Sequence, residues 1–425
     1  MFRVVSQIFN KGNKDLRKRI YFTLACLGIF CLGTTVAIPW AKGAFTELGF
    51  LEIFNLMSGG GLKNLSIFAL GVSPYITAEI ITQLLQMDIL PYFKELKEQG
   101  YTGRQKINKI TRYLGIIFAF VQAYAIIIYF TRSSNVVMSA SATLKTAVVM
   151  TAGTAFLLWL GDQITQKGIG NGMSLLIMAG IVQSMPTVFK TAFQYLVTGT
   201  TYSNAVGISF FAGFILLYLL IIIGIIWVTL AERRIPIQYS NRTSSAYGAQ
   251  QSFLPIKINS AGVMPVIFAS ILTSVPATIV QLTGKTKAIN FVKKYIETTT
   301  PTGFGLYIFL IIFFGYFYTF LSMNPDEMSK DLNERGGYIP GVRPGADTSK
   351  HISNVLGKLT FVGSLFLVIL AALPIVATKL LKLPNSVTIG GTGILIVVGV
   401  AVETYKQIES SLISRSYSER RKRLR

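Results

Sequence analysis

Apolar runs long enough to cross a bilayer recur along this chain, and no other feature restricts its fold as strongly. A hydrocarbon core about 30 Å thick is spanned by about 20 apolar residues in a helix. Ten such runs are readable, at 20–40, 73–90, 113–131, 146–161, 173–189, 208–231, 260–280, 304–323, 357–377 and 387–404. The fourth and fifth are the least regular, because Thr, Gly and Gln interrupt them. Only 14% of residues are charged, against about a quarter in a soluble domain, and mean hydropathy is +0.53. The chain therefore reads as an all-α polytopic membrane protein with no separate soluble domain.

Arg17-Lys18-Arg19 followed by an apolar run has the outline of a secretory signal peptide. That run is too long for the apolar region of such a signal and nine more follow, so it reads as a retained first helix. The net charge of +22 raises the question of nucleic acid, and its distribution answers it. About 28 of the 40 Lys and Arg fall in the N-terminus, the 91–112, 162–172, 232–258 and 324–354 loops and the 405–425 tail, which places these segments and both termini in the cytoplasm. Topology and attraction to anionic lipids account for most of the charge. The long basic loops also leave room for an acidic or RNA-containing partner.

Catalytic and metal chemistry find little material. His351 is the only histidine, and Cys26 and Cys31 lie five apart on different faces of one helix. No nucleophile triad, zinc set or phosphate loop can be assembled, so no cofactor or metal is expected. Ionisable groups at membrane depth are expensive and point to function by default. Glu79, in SPYITAEII, is the one such group near the middle of a span; Asp162, Glu232 and Glu403 sit near span ends, where interfacial solvation suffices. Glu79 follows the Pro74 break, which points its side chain to a watery cavity or a protein neighbour.

Glycine clusters mark three span entrances: Gly59-Gly60-Gly61 before the second, Gly168 to Gly172 before the fifth, and Gly390 to Gly393 at the tenth. Each glycine weakens a helix by about 1 kcal/mol relative to Ala. Irregular backbone at membrane depth survives only against protein or a water-filled cavity. Asn55–Ile76, NLMSGGGLKNLSIFALGVSPYI, is the sharpest case, being too polar and glycine-rich in its first half to span. Val72 and Ile76 share a helix face, as do Met173 and Ile177, but spacing alone does not separate them from ordinary core residues.

Several long motifs in order resemble the SecY family of protein-conducting channels, over nearly the whole chain. They are residues 55–91, TRY at 111–113, WLGDQITQKGIGNGMSLLIMAGIV at 159–182, LPIKINSAGVMPVIFAS at 254–270, NPDEMSKDLNERGGYIPGVRPGADT at 324–348 and GGTGILIVVGVAVETYKQIES at 390–410. The resemblance implies ten transmembrane helices in two pseudo-symmetric, inverted halves, 1–200 and 201–425, around an hourglass pore. It places the chain in the bacterial cytoplasmic membrane, with SecE and SecG as subunits, SecA or the ribosome as the driving partner, and signal sequences as clients. No chemistry of its own is implied. The family's pore ring falls on Val72, Ile76, Met173, Ile177, Ile267 and Ile396, with Val72 and Met173 departing from the common isoleucine. Flexible aliphatic side chains suit a ring that passes varied residues and blocks ions by dewetting.

The same resemblance makes Asn55–Leu70 a plug, a short re-entrant helix bearing Leu56, Met57, Gly59, Gly60, Gly61, Leu62, Leu65 and Ile67. A lateral gate between the second and third and the seventh and eighth spans would carry Thr77, Gln122 and Asn259, and Arg343, Arg242 and Lys257 would dock a partner. Gly and Pro on both sides of Arg343 shape a rigid exposed turn. Two departures stand out. Phe30-Cys31-Leu32-Gly33 replaces a stretch where relatives often carry arginine, and the 232–258 loop is poor in charge. Both fit either altered docking or an accessory, substrate-restricted copy. The competing class is a secondary transporter, since inverted repeats and broken helices mark those too. The shortage of intramembrane charge favours the channel.

Overall fold

The computed structural model describes residues 14–40, 51–86, 90–133, 138–198, 204–239, 252–283, 291–292, 294–297, 300–381 and 383–423. Helices run in the order α1 (Lys14–Thr35), α2 (Glu52–Met57), α3 (Ser73–Leu85), α4 (Pro91–Glu98), α5 (Tyr101–Ser133), α6 (Ala140–Lys167), α7 (Gly172–Phe193) and α8 (Asn204–Leu230). After strands β1 (Glu232–Tyr239) and β2 (Ser252–Lys257) come α9 (Met264–Thr283), α10 (Pro301–Ser322), α11 (Pro325–Glu334), β3 (Gly337–Tyr338), α12 (Ala346–Leu380) and α13 (Asn385–Arg423). All ten expected segments are helical over most of their length. Six described helices are long and apolar enough to cross a membrane, and α9 supplies a shorter apolar stretch, Met264–Ser274.

Local chemistry explains several boundaries. Pro74 sits in the first turn of α3, where its missing N–H costs nothing, so α3 starts where the proline predicts. Asn171 caps α7 by accepting the Met173 N–H at 3.1 Å, which fixes the end of the 168–172 glycine run as a helix start. The glycine cluster at 390–393 behaves otherwise. Helix α13 runs through it unbroken. A Cβ on Gly393 would meet Ile181 of α7 at 2.8 Å, so this glycine serves close helix packing instead of a break.

Two further expectations are corrected. The fold is not purely helical: the 232–258 segment holds an antiparallel hairpin with Arg234 opposite Pro255 and Pro236 opposite Phe253, and β3 adds to its other edge. Ile235 and Ile237 of β1 and Ile256 of β2 alternate inward onto Leu332, Ile339, Ile352 and Leu356, forming an apolar core outside the helical bundle. Attention to low charge in this stretch hid the period-two pattern RIPIQ that marks a half-buried strand. The second correction concerns Asn55–Leu70, which is not one short helix. Helix α2 ends at Met57, and residues 58–72 form successive tight turns.

Helix pairs α3/α5, α5/α6, α9/α10, α10/α12 and α13/α7 form the closest contacts of the bundle. Helix α9 lies against α5 and, more sparsely, α3, which leaves a lightly packed seam between these helices, whereas α13 and α7 join the 1–200 and 201–425 portions closely.

Candidate functional site: an apolar cluster and a turn-rich segment

Five of the six expected ring residues are buried together. Val72, Ile76, Ile177, Ile267 and Ile396 lie between 1% and 8% exposed in one apolar cluster, and half-buried Met173 packs against it. They come from the start of α3, from α7, from α9 and from α13, so four helices distant in sequence contribute to one apolar cluster. Met57 and Phe68 of the turn-rich segment belong to the same cluster, as do Cys26 and Phe30 of α1. Phe68 is sandwiched: its ring stacks with Phe30 at 6.3 Å and with Phe156 at 5.8 Å. The apolar stretch at Phe30 thus contributes a ring that grips the segment.

Segment 58–72 is held by its buried side chains and also through its backbone. Ala37 and Ser66 form an antiparallel bridge, with Ile38 N–H donating to Leu65 O at 3.1 Å and Ile67 N–H to Val36 O at 3.0 Å. Asn55 organises the glycine turn. Its carbonyl accepts the Gly60 N–H at 2.8 Å and its side-chain oxygen accepts the Lys63 N–H at 2.9 Å. Gly59 and Gly60 take φ +67 and +82, a region most side chains avoid, which is why these turns need glycine. Leu65 adopts φ +46 as well, held there by complete burial.

The surrounding helices make room for this backbone. A Cβ added to Gly180 of α7 would overlap the Met57 carbonyl, and one added to Gly153 of α6 would overlap the Ile67 carbonyl. Thr154 donates to Gly71 O at 3.3 Å. Gln183 and Thr34 hydrogen-bond at 2.9 Å, and a side chain on Gly59 would strike the Gln183 amide. Of the expected plug residues, Leu56 joins a second core built mainly from α8, α12 and α13, while Leu62 and Leu65 pack with α5 and α6. Gly61 and Ile67 lie in the same run of turns, Ile67 touching both the ring cluster and the α5/α6 core. Sequence reading missed Gly153 and Gly180; each is an isolated glycine inside an apolar helix, a recognised sign of close approach.

Glu52 stands at the entrance to this segment, at the start of α2. Burial pushes its carboxyl up to about 7, with Lys63 pulling in the opposite direction.

The expected gate and docking residues scatter more widely. Thr77 donates to Ser73 O of its own helix at 3.2 Å, and Gln122 is half-buried on α5. Asn259 lies in the turn before α9, where Gly363 of α12 approaches its Cα. Among the described residues none of these three hydrogen-bonds another. Arg343 is exposed on a turn between Gly341 and Gly345, tied down by Thr348 Oγ1 donating to Arg343 O at 2.9 Å and Ser329 Oγ to Gly345 O at 2.8 Å. Lys257 is exposed at the end of β2 opposite Glu232, and Arg242 lies outside the described residues. Asp162, expected to rest on interfacial solvation, forms an ion pair with Arg112 at 2.7 Å. Among the described residues no three His, Cys, Asp or Glu side chains gather as a metal site would require.

A family model described as SecY matches residues 66–405, four-fifths of the chain. This chain belongs to the SecY family. Proteins named Protein translocase subunit SecY from Staphylococcus epidermidis and Bacillus subtilis are 44% and 42% identical, covering 98% of this chain and 99% of theirs. Among solved structures, one described as "The structure of a protein conducting channel" superposes with a TM-score of 0.70 at 18% identity, covering 94% of this chain and 93% of that one. "Sec61 in the Canine ribosome-channel complex from the endoplasmic reticulum" superposes at 0.67 with the same identity and coverage. At that identity these two likenesses speak for a shared SecY-type fold alone.

Proposed function

We propose that this SecY-family chain is the channel subunit of a secretory translocon in the bacterial cytoplasmic membrane. It conducts unfolded preproteins across and releases apolar segments sideways into lipid. The convergence of Val72, Ile76, Met173, Ile177, Ile267 and Ile396 from four helices onto one apolar cluster carries this reading. Such a ring offers no fixed charge to hold a passing chain, and closed upon itself it excludes water and ions.

In this reading ten helices cross the membrane, with both termini, the β1–β2 hairpin and the 324–354 segment in the cytoplasm. Segment 55–70 is the plug, seated against the ring from the outer side. The lateral gate is the seam between α3/α5 and α9/α10, with Thr77 and Gln122 on one wall and Asn259 at the base of the other. Interhelical hydrogen bonds in membranes are worth roughly 0.6–2 kcal/mol, so a seam with few of them opens readily for an apolar client. Arg343, Arg242 and Lys257 face a SecA-type motor or the ribosome, while SecE and SecG complete the heterotrimer. Catalysis is not part of the role; the driving energy comes from the partner.

Photo-crosslinking tests the assignment. Probes at positions 76, 177 and 267 should capture a stalled secretory chain. Probes that react only with lipid and neighbouring helices would remove the pore.

A further inference from the structure

Phe291 and Tyr295 stand side by side on the connection between α9 and α10, their ring centroids 4.8 Å apart. They are 59% and 42% exposed, with exposed Lys294 beside them, whereas Val292 is buried. Residues 291–292 and 294–295 are helical, and positions three and four apart share one side of a helical turn. This short stretch therefore turns two aromatic rings and a cation outward. The Lys294 ammonium lies 5.5 Å from the Tyr295 ring centroid.

The stretch is tied to the start of α10. Glu297 O accepts both the Thr300 N–H at 2.9 Å and the Thr300 hydroxyl at 2.8 Å. Thr300 in turn caps α10 by accepting the Gly303 N–H at 3.2 Å, and Thr302 Oγ1 donates to Lys294 O at 3.1 Å. A Cβ on Gly303 would overlap the Glu297 carbonyl, so glycine is what lets the stretch fold this closely onto the first turn of α10. The ring pair is thereby fixed at the end of α10 that lies away from the cytoplasm in the topology proposed above.

Its depth follows from what continues below it. Helix α10 exposes Leu306, Phe309 and Phe313, as a helix facing lipid does. Aromatic rings gather where such a helix leaves the hydrocarbon, and a lysine there reaches outward to the phosphates. Trp40, exposed at the corresponding end of α1, has the same character and donates to Thr146 of α6 at 3.0 Å. We propose that Phe291, Lys294 and Tyr295 form an interfacial anchor that sits in the outer-leaflet headgroup region and holds the outer end of α10 at a fixed depth. The inference rests on the membrane topology proposed above. That end of α10 is then held by lipid as well as by its packing against α9 and α12.

The test uses the complete translocon in vesicles of phosphatidylethanolamine and phosphatidylglycerol. Trp40→Phe, Trp159→Phe and Trp227→Phe clear the background, and one probe is introduced by Phe291→Trp, Tyr295→Trp or, as a lipid-facing reference, Phe309→Trp. The probes at 291 and 295 should emit in the blue and resist aqueous iodide. Bromines near the headgroup should quench them severalfold more than bromines near the chain ends, as a seat about 5–10 Å into the interface requires. Probes open to iodide overturn the proposal, as do probes that a partner protein shields from iodide and bromine alike. A reference probe at 309 open to iodide would remove the membrane reading of α10 together with the anchor.

A second measurement keeps the native tryptophans. A nitroxide attached through Phe291→Cys, with Cys26→Ala and Cys31→Ala, should be relaxed severalfold more by oxygen than by a water-soluble nickel chelate. The reverse order overturns the anchor. Holding is read separately: Phe291→Ser should speed amide exchange in the first turn of α10 severalfold in the same vesicles. Unchanged exchange would mean that the rings touch lipid without holding the helix, and would overturn the anchoring role.

Discussion

Two regions outside the long helices are held in different ways. The hairpin β1–β2, with α11, β3 and the start of α12, has its own side-chain core of Ile235, Ile237, Ile256, Leu332, Ile339, Ile352 and Leu356. Segment 58–72 has no core of its own: its apolar side chains borrow those of the helices, and it is fixed in addition by backbone hydrogen bonds, by turns that need glycine, and by helix glycines that admit its carbonyls. A side-chain core gives a rigid platform, which suits the docking role proposed for Arg343. A seat built partly from single backbone hydrogen bonds and left-handed turns suits a segment that leaves and returns, as proposed for the plug. Under the proposed function the first region serves as a fixed docking face and the second as the removable plug.

The largest effect is expected in the platform. Ile256 is fully buried, and removing such a side chain to Ala costs about 2–5 kcal/mol. Ile256→Ala should speed amide exchange across β1 and β2 and expose the 232–257 segment to protease, while ion leak through the resting channel stays at the wild-type level. A leak as large as that of a plug variant would show that the two regions are not independent.

Next comes the seat. Gly180→Ala places a methyl group where the Met57 carbonyl lies, and forced overpacking costs about 1–3 kcal/mol. The platform should be untouched, and resting conductance should rise severalfold in planar bilayers. Gly153→Ala should act in the same direction through Ile67. If neither variant leaked, residues 58–72 would not be the element that closes the ring.

These two glycines show where the sequence was informative and where it was not. The ten helical segments and the α3 start at Pro74 were readable, because hydropathy and proline act locally. The ring was nameable only by family resemblance, since Val72 and Ile396 look like any buried aliphatic until four helices are brought together. Gly153 and Gly180 carry meaning only against carbonyls a hundred or so residues away, and a single sequence does not show that pairing. The hairpin was missed for another reason. Its inward positions are few, and Arg233, Arg234 and Pro236 mask the alternation. Gly390 to Gly393 resembled a helix break because glycine propensity was read without the neighbour, Ile181, that makes close packing favourable.

A smaller effect separates the turn from its seat. Asn55→Ala removes the acceptor for the Lys63 N–H, worth about 1 kcal/mol. Conductance should rise less than with Gly180→Ala, and Asn55→Asp, which keeps the acceptor, should stay near wild type. Equal leak from Ala and Asp would shift the role of Asn55 from its side chain to its backbone carbonyl.

The mildest prediction concerns pH at Glu52. Burial raises its carboxyl from an ordinary 4.5 to about 7 in the seated state. On leaving, the group returns toward its ordinary value, so between these limits the seated state binds more protons than the released one. Linkage then fixes the sign: seating weakens as pH rises from about 4.5 through 7 and stays flat above that. Resting leak in wild type should therefore increase a few-fold between pH 5.5 and 7.5 on the outer face, whereas Glu52→Gln, neutral throughout, should show no such rise. The hairpin platform offers an internal control, since its amide exchange, corrected for the intrinsic pH dependence, should not follow the Glu52 titration. A leak that fell with rising pH would mean that the charged carboxylate is the form the seat prefers, with Lys63 outweighing burial. The backbone seat would then be closed partly by an ion pair, and the contrast with the side-chain platform would narrow accordingly.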